Sequence, residues 1–181
     1  MPSYVALLRG VNVGKAKRVP MAELRDVLAG LGCTDVATLL NSGNVVFRSG
    51  IRSASACATA IASALADRFG FDVPVVVKSA KELSAIVAGN PLRFTEVEHS
   101  RLLVAFVQDA GQLASLRKIE SLVVPTEQFA IGNDAAYLLC ASGLLASKAG
   151  AALIGKTGQT VTTRNWATVL KLHALALSIG A

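Results

Sequence analysis

"VATLLNSGNVVF", residues Val36–Phe47, decides the fold. Two short runs rich in β-formers, Val36–Leu40 and Val45–Phe47, flank Asn41-Ser42-Gly43-Asn44, a composition that turns a chain tightly back on itself. A hairpin here makes the two strands antiparallel neighbours, which a regular strand–helix–strand alternation does not do. Upstream, Tyr4–Leu8 reads as a strand and Pro20–Leu31 as a helix with proline in its first turn and Gly32 past its end. Downstream, Ala54, Cys57, Ala58, Ile61, Leu65 and Phe69 form the apolar stripe of a helix from Ser53 to Phe69. Val73–Val77 is the next strand. The succession is β-α-β-β-α-β, the split βαβ arrangement of ferredoxin-like sheets.

The pattern then restarts. "SAKE" at Ser79–Glu82 is a capping box opening a connecting helix that Asn90-Pro91 stops. Strand Leu102–Val107, helix Gly111–Ile119, strands Gln128–Ile131 and Ala136–Cys140, and a helix from Ser147 follow. "QTVT", residues 159–162, supplies a short last strand before a final helix, Arg164–Leu177. The expectation is an α+β protein of two ferredoxin-like units in tandem, with antiparallel sheets and a closing C-terminal helix. Residues 1–79 form the first unit. Residues 80–181 hold the connecting helix, the second unit and the final helix, the whole packed as one compact body.

Composition narrows the function classes. Of 181 residues, 52% are apolar and 17% charged, so a buried core is expected and wholesale disorder is not. The net charge of +6 is spread along the chain, with no run of five like charges, which argues against a disordered nucleic-acid arm. Such a balance fits an anionic ligand, RNA or a basic solvated surface. Aromatic residues are only 5% of the chain, and Tyr4 and Phe47 alone are placed to stack bases, so nucleic-acid binding is disfavoured. The three cysteines, Cys33, Cys57 and Cys140, lack C-x-x-C spacing and point to free thiols in a reducing compartment. The apolar runs are too short to span a bilayer, and the N-terminus lacks a secretory pattern. A cytoplasmic location without membrane attachment is expected. His99 and His173 have no metal-ligand partners at useful spacing, so neither metal nor cofactor is called for.

The topology gathers polar residues at one sheet edge. The loop after the first strand, "RGVNVGKAKR" (residues 9–18), and the "NSGN" turn leave the sheet on the same side. Glycines expose backbone N–H groups there, and Arg9, Lys15, Lys17 and Arg18 add positive charge, a combination suited to an oxyanion. The loop is not a nucleotide P-loop, since Ala16 stands at the hydroxyl position. A second cluster lies in "TTRNWATVLKL", residues 162–172. Read as a helix start capped by Thr163, it puts Arg164, Thr168 and Lys171 on one stripe, Trp166, Val169, Leu170 and His173 beside it, and Asn165 at the positive dipole end. Ser147 and Lys148 open another helix with a hydroxyl and an ammonium. The plainer alternatives are a glycine-containing connection with solvated lysines, and an amphipathic closing helix.

The stretches "YVALLRGVNVGKAKRVPMAELRDVLAGLG", "LNSGNVVF", "RFGFDVPVVVKSAKEL" and "TTRNWATVLKL" resemble a bacterial family described as a domain of unknown function, number 1697, over nearly the whole chain. The resemblance implies tandem ferredoxin-like units and signature polar positions at Arg9, Gly10, Asn12, Gly14, Ser42, Gly43, Asn44, Ser147, Lys148, Arg164, Asn165 and Lys171. The chain departs from the family at Ala149, where leucine is usual, and at Lys15, often a second glycine. The family brings no established reaction. With Lys17 added for its charge, these positions, Gly43 apart, are the candidate binding residues for a small phosphorylated or carboxylated ligand. The expected site is a cleft between the loop after the first strand and the start of the last helix. No catalytic residue is assigned. One alternative is a phosphoryl or acyl-phosphate hydrolase, by analogy of topology with acylphosphatases, in which Asn41 or Asn44 orients water while Arg9 or Arg18 holds a phosphoryl oxygen. Another is nucleic-acid binding through the basic edge, which would show a steep salt dependence.

Overall fold

The computed structural model describes residues 1–158 and 160–180; Gln159, in the expected short strand, lies outside the described residues. Among the described residues the chain is α+β, with two four-stranded antiparallel sheets and helices. It divides into two compact units, Met1–Leu83 with Leu172–Ala181, and Ser84–Lys171.

The first unit runs β1 (Ser3–Leu8), α1 (Met21–Gly30), β2 (Thr34–Leu39), β3 (Asn44–Arg48), α2 (Ala54–Phe69) and β4 (Val75–Ser79), with sheet order β2-β3-β1-β4. Strand β1 is central and pairs antiparallel with β3 and β4. Its Tyr4, Ala6 and Leu8 pack with Val45, Phe47 and Val77 of the same face against Leu24 and Leu28 of α1 and Ile61 and Leu65 of α2. Val5 and Leu7 on the other face are buried as well, which is why the strand reads as an unbroken apolar run. Ser53 caps α2 by accepting a hydrogen bond from the Ala56 amide, and Gly70 ends it at φ 75°, a left-handed conformation that glycine adopts without strain. The capping box at α3 (Ala80–Ala88) forms as read: the Glu82 carboxylate accepts from the Ser79 amide at 2.7 Å.

The second unit contains β5 (Leu102–Val107), β6 (Gln128–Ile131), β7 (Ala135–Leu139), α4 (Lys148–Ile154) and β8 (Val161–Asn165), in sheet order β6-β7-β5-β8. Leu103, Ala105 and Val107 share a core with Leu116, Ile119 and Leu153. Two expectations are corrected here. The segment expected as a helix over Gly111–Ile119 is a 3₁₀ helix, Ala110–Leu122. Its buried residues Leu113, Leu116 and Ile119 recur every third position, the spacing that a helix with three residues per turn aligns in one row.

The final helix, α5 (Trp166–Gly180), starts after Arg164 and Asn165, not at Arg164. Strand β5 offers an open edge, and residues 161–165 pair along it, with Arg164 opposite Val104 and Asn165 opposite Leu103. The expected helical stripe of Arg164, Thr168 and Lys171 therefore does not exist. Asn165, not Thr163, caps the helix, its side-chain oxygen accepting from the Thr168 amide at 2.9 Å. Trp166 is 5% exposed and meets Phe94 edge-on at 5.5 Å, which anchors the helix start as its ring size requires.

Candidate anion-binding site

In the first unit, residues 9–18 and the β2–β3 turn meet at one edge of the sheet. The Asn12 side chain joins them. Its amide nitrogen donates to the Asn41 carbonyl at 2.7 Å and to the Val19 carbonyl at 2.8 Å, while its oxygen accepts from the Val19 amide at 2.9 Å. The Asn12 amide nitrogen also donates across the loop, from the backbone, to Lys17 at 3.1 Å. Asn12 thus staples the loop to its own exit and to the turn. On the other side, the Leu8 amide donates to the Gly43 carbonyl at 2.8 Å. A β-carbon at Gly43 would stand 2.6 Å from Leu8 Cβ and 2.9 Å from Val11 Cγ2, so the turn can close on β1 only through glycine.

The backbone at this edge is strained. Asn12 (φ 56°), Lys17 (φ 48°) and Leu40 (φ 59°) hold left-handed conformations that cost non-glycine residues energy, alongside Gly10, Gly14 and Gly43. Strain of this kind persists where surrounding structure imposes it, and it gathers at binding sites. Lys17 Nζ donates to the Asp72 carbonyl at 3.1 Å, which fixes one cation of the loop. Arg9 is half-buried, and burial pushes its guanidinium below the usual arginine range. Gly10, Gly14 and Ser42 are exposed, whereas Asn44 is completely buried and donates to the Leu39 carbonyl and the Ser42 hydroxyl, both at 2.8 Å. Asn44 holds the turn from inside. Asn41 is the asparagine of the turn that stands at the surface.

A cavity of about 250 Å³ opens at this edge, lined by Asn12, Arg18, Val19, Pro20, Met21 and Asn41. Pro20 and Met21 are the start of α1. Pro20 is its N-cap, and no side chain caps it. A helix start carries free N–H groups and the positive end of the dipole, and here these adjoin the exposed Arg18. The sequence places Arg18 in the cationic loop and predicts the helix from Pro20, but it does not mark the uncapped helix start as part of the site. The available signal was the absence of Ser, Thr, Asp or Asn before Met21.

The second cluster lies in the second unit. Ser147 is buried and caps α4, its hydroxyl accepting from the Gly150 amide at 2.9 Å, while Lys148 is exposed. Helix α4 covers the sheet face that carries Leu103 and Ala105. Arg164, opposite Val104, stands on the other face, so the unit does not bring Arg164 together with Ser147. The Arg164 guanidinium donates to the Thr162 hydroxyl at 2.9 Å and to the Thr163 carbonyl at 2.8 Å, and burial pushes its pKa down to about 10. Asn165 is half-buried as the cap of α5, and Lys171 is exposed. Among the described residues, no three His, Cys, Asp or Glu side chains group as metal ligands, and no helix is long and apolar enough to cross a membrane.

The model of a family described as a protein of unknown function, DUF1697, matches residues 1–137, which contain the whole loop-and-turn edge. The chain belongs to this family. Its structure is also similar to that of the conserved bacterial protein SP0830 from Streptococcus pneumoniae, at 25% identity and a TM-score of 0.80, covering 97% of this chain and 98% of that one. Among curated proteins none matches. The DUF1697 match ends inside β7, so the first unit's edge lies within it and the Ser147 and Arg164 cluster beyond it.

Proposed function

We propose that this DUF1697 protein binds a small phosphorylated or carboxylated ligand at the loop-and-turn edge of its first unit. One observation carries the reading: the uncapped start of α1 opens into a cavity that Arg18, Asn12 and Asn41 also line. An oxyanion there takes hydrogen bonds from free helix N–H groups and a charge-assisted pair from Arg18. The Asn12 staple presets the cavity, which lowers the ordering cost of binding. The sheet orders of both units further support reading each as ferredoxin-like, in tandem. The free thiols of Cys33, Cys57 and Cys140 support a cytoplasmic setting.

The test is calorimetry and amide NMR with inorganic phosphate as the probe. Saturable shifts at Met21, Ala22 and Glu23 are expected. Arg18→Ala should weaken binding about tenfold or more, the value of one charge-assisted contact. Shifts spread evenly over the basic surface, with Arg18→Ala unchanged, would overturn the reading.

A further inference from the structure

A second cavity, of about 330 Å³, opens in the second unit and has the opposite electrostatic character. Its apolar walls come from Ala85, Ile86, Pro91 and Ile131, and its polar lining includes Asp134 and Tyr137. Asp134 sits in the β6–β7 turn, half-buried; among the described residues its carboxylate forms no ion pair and accepts no hydrogen bond. Tyr137 is 2% exposed, and its hydroxyl donates to the Ile86 carbonyl at 2.6 Å, which leaves oxygen lone pairs to accept from a ligand. Ile86 and Ala85 lie toward the C-terminal end of α3, where the helix dipole is negative.

The lining thus combines one unneutralised carboxylate, a buried hydroxyl, a helix C-terminus and a hydrocarbon wall. An anion is repelled. A hard divalent ion needs several oxygen ligands, and one carboxylate does not supply a cage. An organic ammonium needs a single counter-charge and gains from apolar contact along its chain. We propose that this cavity binds a small aliphatic primary amine, its ammonium on the Asp134 carboxylate and the Tyr137 hydroxyl, and its hydrocarbon along Ile86, Pro91 and Ile131. The site is separate from the anion site and stands or falls without it.

The experiment is an NMR titration of the full chain with n-butylammonium chloride and, in parallel, n-butanol, at neutral pH and constant ionic strength. Amides of residues 132–137 should shift and saturate with the amine, and n-butanol should bind about tenfold more weakly or worse, since it lacks the charge. Asp134→Asn should weaken the amine about tenfold and leave n-butanol unchanged, because the variant keeps the shape and removes the charge. Equal binding of the two probes reduces the cavity to an apolar pocket and overturns the proposal. So does an Asp134→Asn variant that binds the amine as the parent does, or the absence of saturable shifts up to tens of millimolar.

Discussion

The two units order their sheets alike, β2-β3-β1-β4 and β6-β7-β5-β8, yet they leave their first strands in opposite ways. In the second unit, Gln108 and Asp109 alone separate β5 from the 3₁₀ helix, and Asp109 closes the helix start itself. Its carboxylate accepts from the Gly111 amide at 2.9 Å, and Gln112 accepts from the Asp109 amide at 3.2 Å. In the first unit the connection runs over residues 9–20, carries Arg9, Lys15, Lys17 and Arg18, and reaches a helix with no side-chain cap. One helix start is capped by the protein's own carboxylate; the other has no side-chain cap and stands beside Arg18, with the Glu23 carboxylate of its first turn paired to Arg68. The facing turns invert the contrast: residues 40–43 carry no charge, whereas the β6–β7 turn carries Asp134. The same topology thus offers opposite electrostatics at corresponding edges, set by loop length and capping.

The largest expected effect tests how tightly the first edge is built. Gly43→Ala should cost about 2–5 kcal/mol, combining the left-handed penalty with overpacking against Leu8 and Val11. Gly132→Ala, in the corresponding turn of the second unit, meets nothing closer than 3.1 Å and needs no left-handed φ. Its cost should be about 1 kcal/mol at most, within the range of mild overpacking. Urea denaturation of both variants measures the difference. Equal costs would mean that the first turn relaxes and that its closure on β1 is not demanding.

These contrasts divide into what sequence exposes and what it hides. The hairpin at Asn41–Asn44, the Ser79–Glu82 box and the Gly70 stop were legible because each rests on neighbours a few residues away. The spacing of Leu113, Leu116 and Ile119 was visible too, but three-residue and 3.6-residue periods part company only slowly over so short a segment. Arg164 and Asn165 were assigned to a helix because local propensity is blind to the open edge of β5, a partner some sixty residues earlier in the chain. The site was half-legible. Its charges could be read, but the Asn12 staple and the burial of Asn44 arise only when the turn meets the loop.

The next effect probes the acidic side of the comparison. Burial and, second, the charge of Asp134 raise Tyr137 from 10.0 to about 12. A folded-state pKa above the unfolded value means that this contribution is complete below pH 10 and lost as pH rises toward 12. A rise from 10.0 to about 12 is worth at most about 2.7 kcal/mol. Stability should therefore fall over this window in the parent and less in Tyr137→Phe, measured as the difference between their urea midpoints. Arg164, lowered by burial, acts in the opposite sense and is common to both, so the difference removes it.

A smaller effect attacks the contrast directly. Pro20→Asp gives α1 the carboxylate cap that the second unit already has. An aspartate cap contributes about 0.5–2 kcal/mol, offset in part by about 0.4–1 kcal/mol from the lost proline rigidity. The variant should fall between about 0.5 kcal/mol less and about 1.6 kcal/mol more stable than its parent, yet bind phosphate about tenfold more weakly, because its own carboxylate competes for the same N–H groups. Calorimetry with phosphate and thermal denaturation check the two halves. Undiminished phosphate binding would show that the helix start is not where the anion sits.

The smallest effect asks whether strain at the first edge serves the ligand or only the turn. Leu40 holds φ 59° with its side chain 57% exposed, so the backbone cost is not repaid by burial of the leucine. Asparagine tolerates this conformation, and Leu40→Asn should stabilise the chain by about 0.5–1 kcal/mol. Leu40 does not line the cavity, whereas its neighbour Asn41 does and also accepts the Asn12 amide. If the bend at residue 40 is dictated by that staple, the backbone stays where it is when leucine is replaced. Phosphate affinity should then be unchanged while the urea midpoint rises. A loss of affinity alongside the gain in stability would instead show that the leucine side chain holds the turn in its binding geometry, and that the strain belongs to the site.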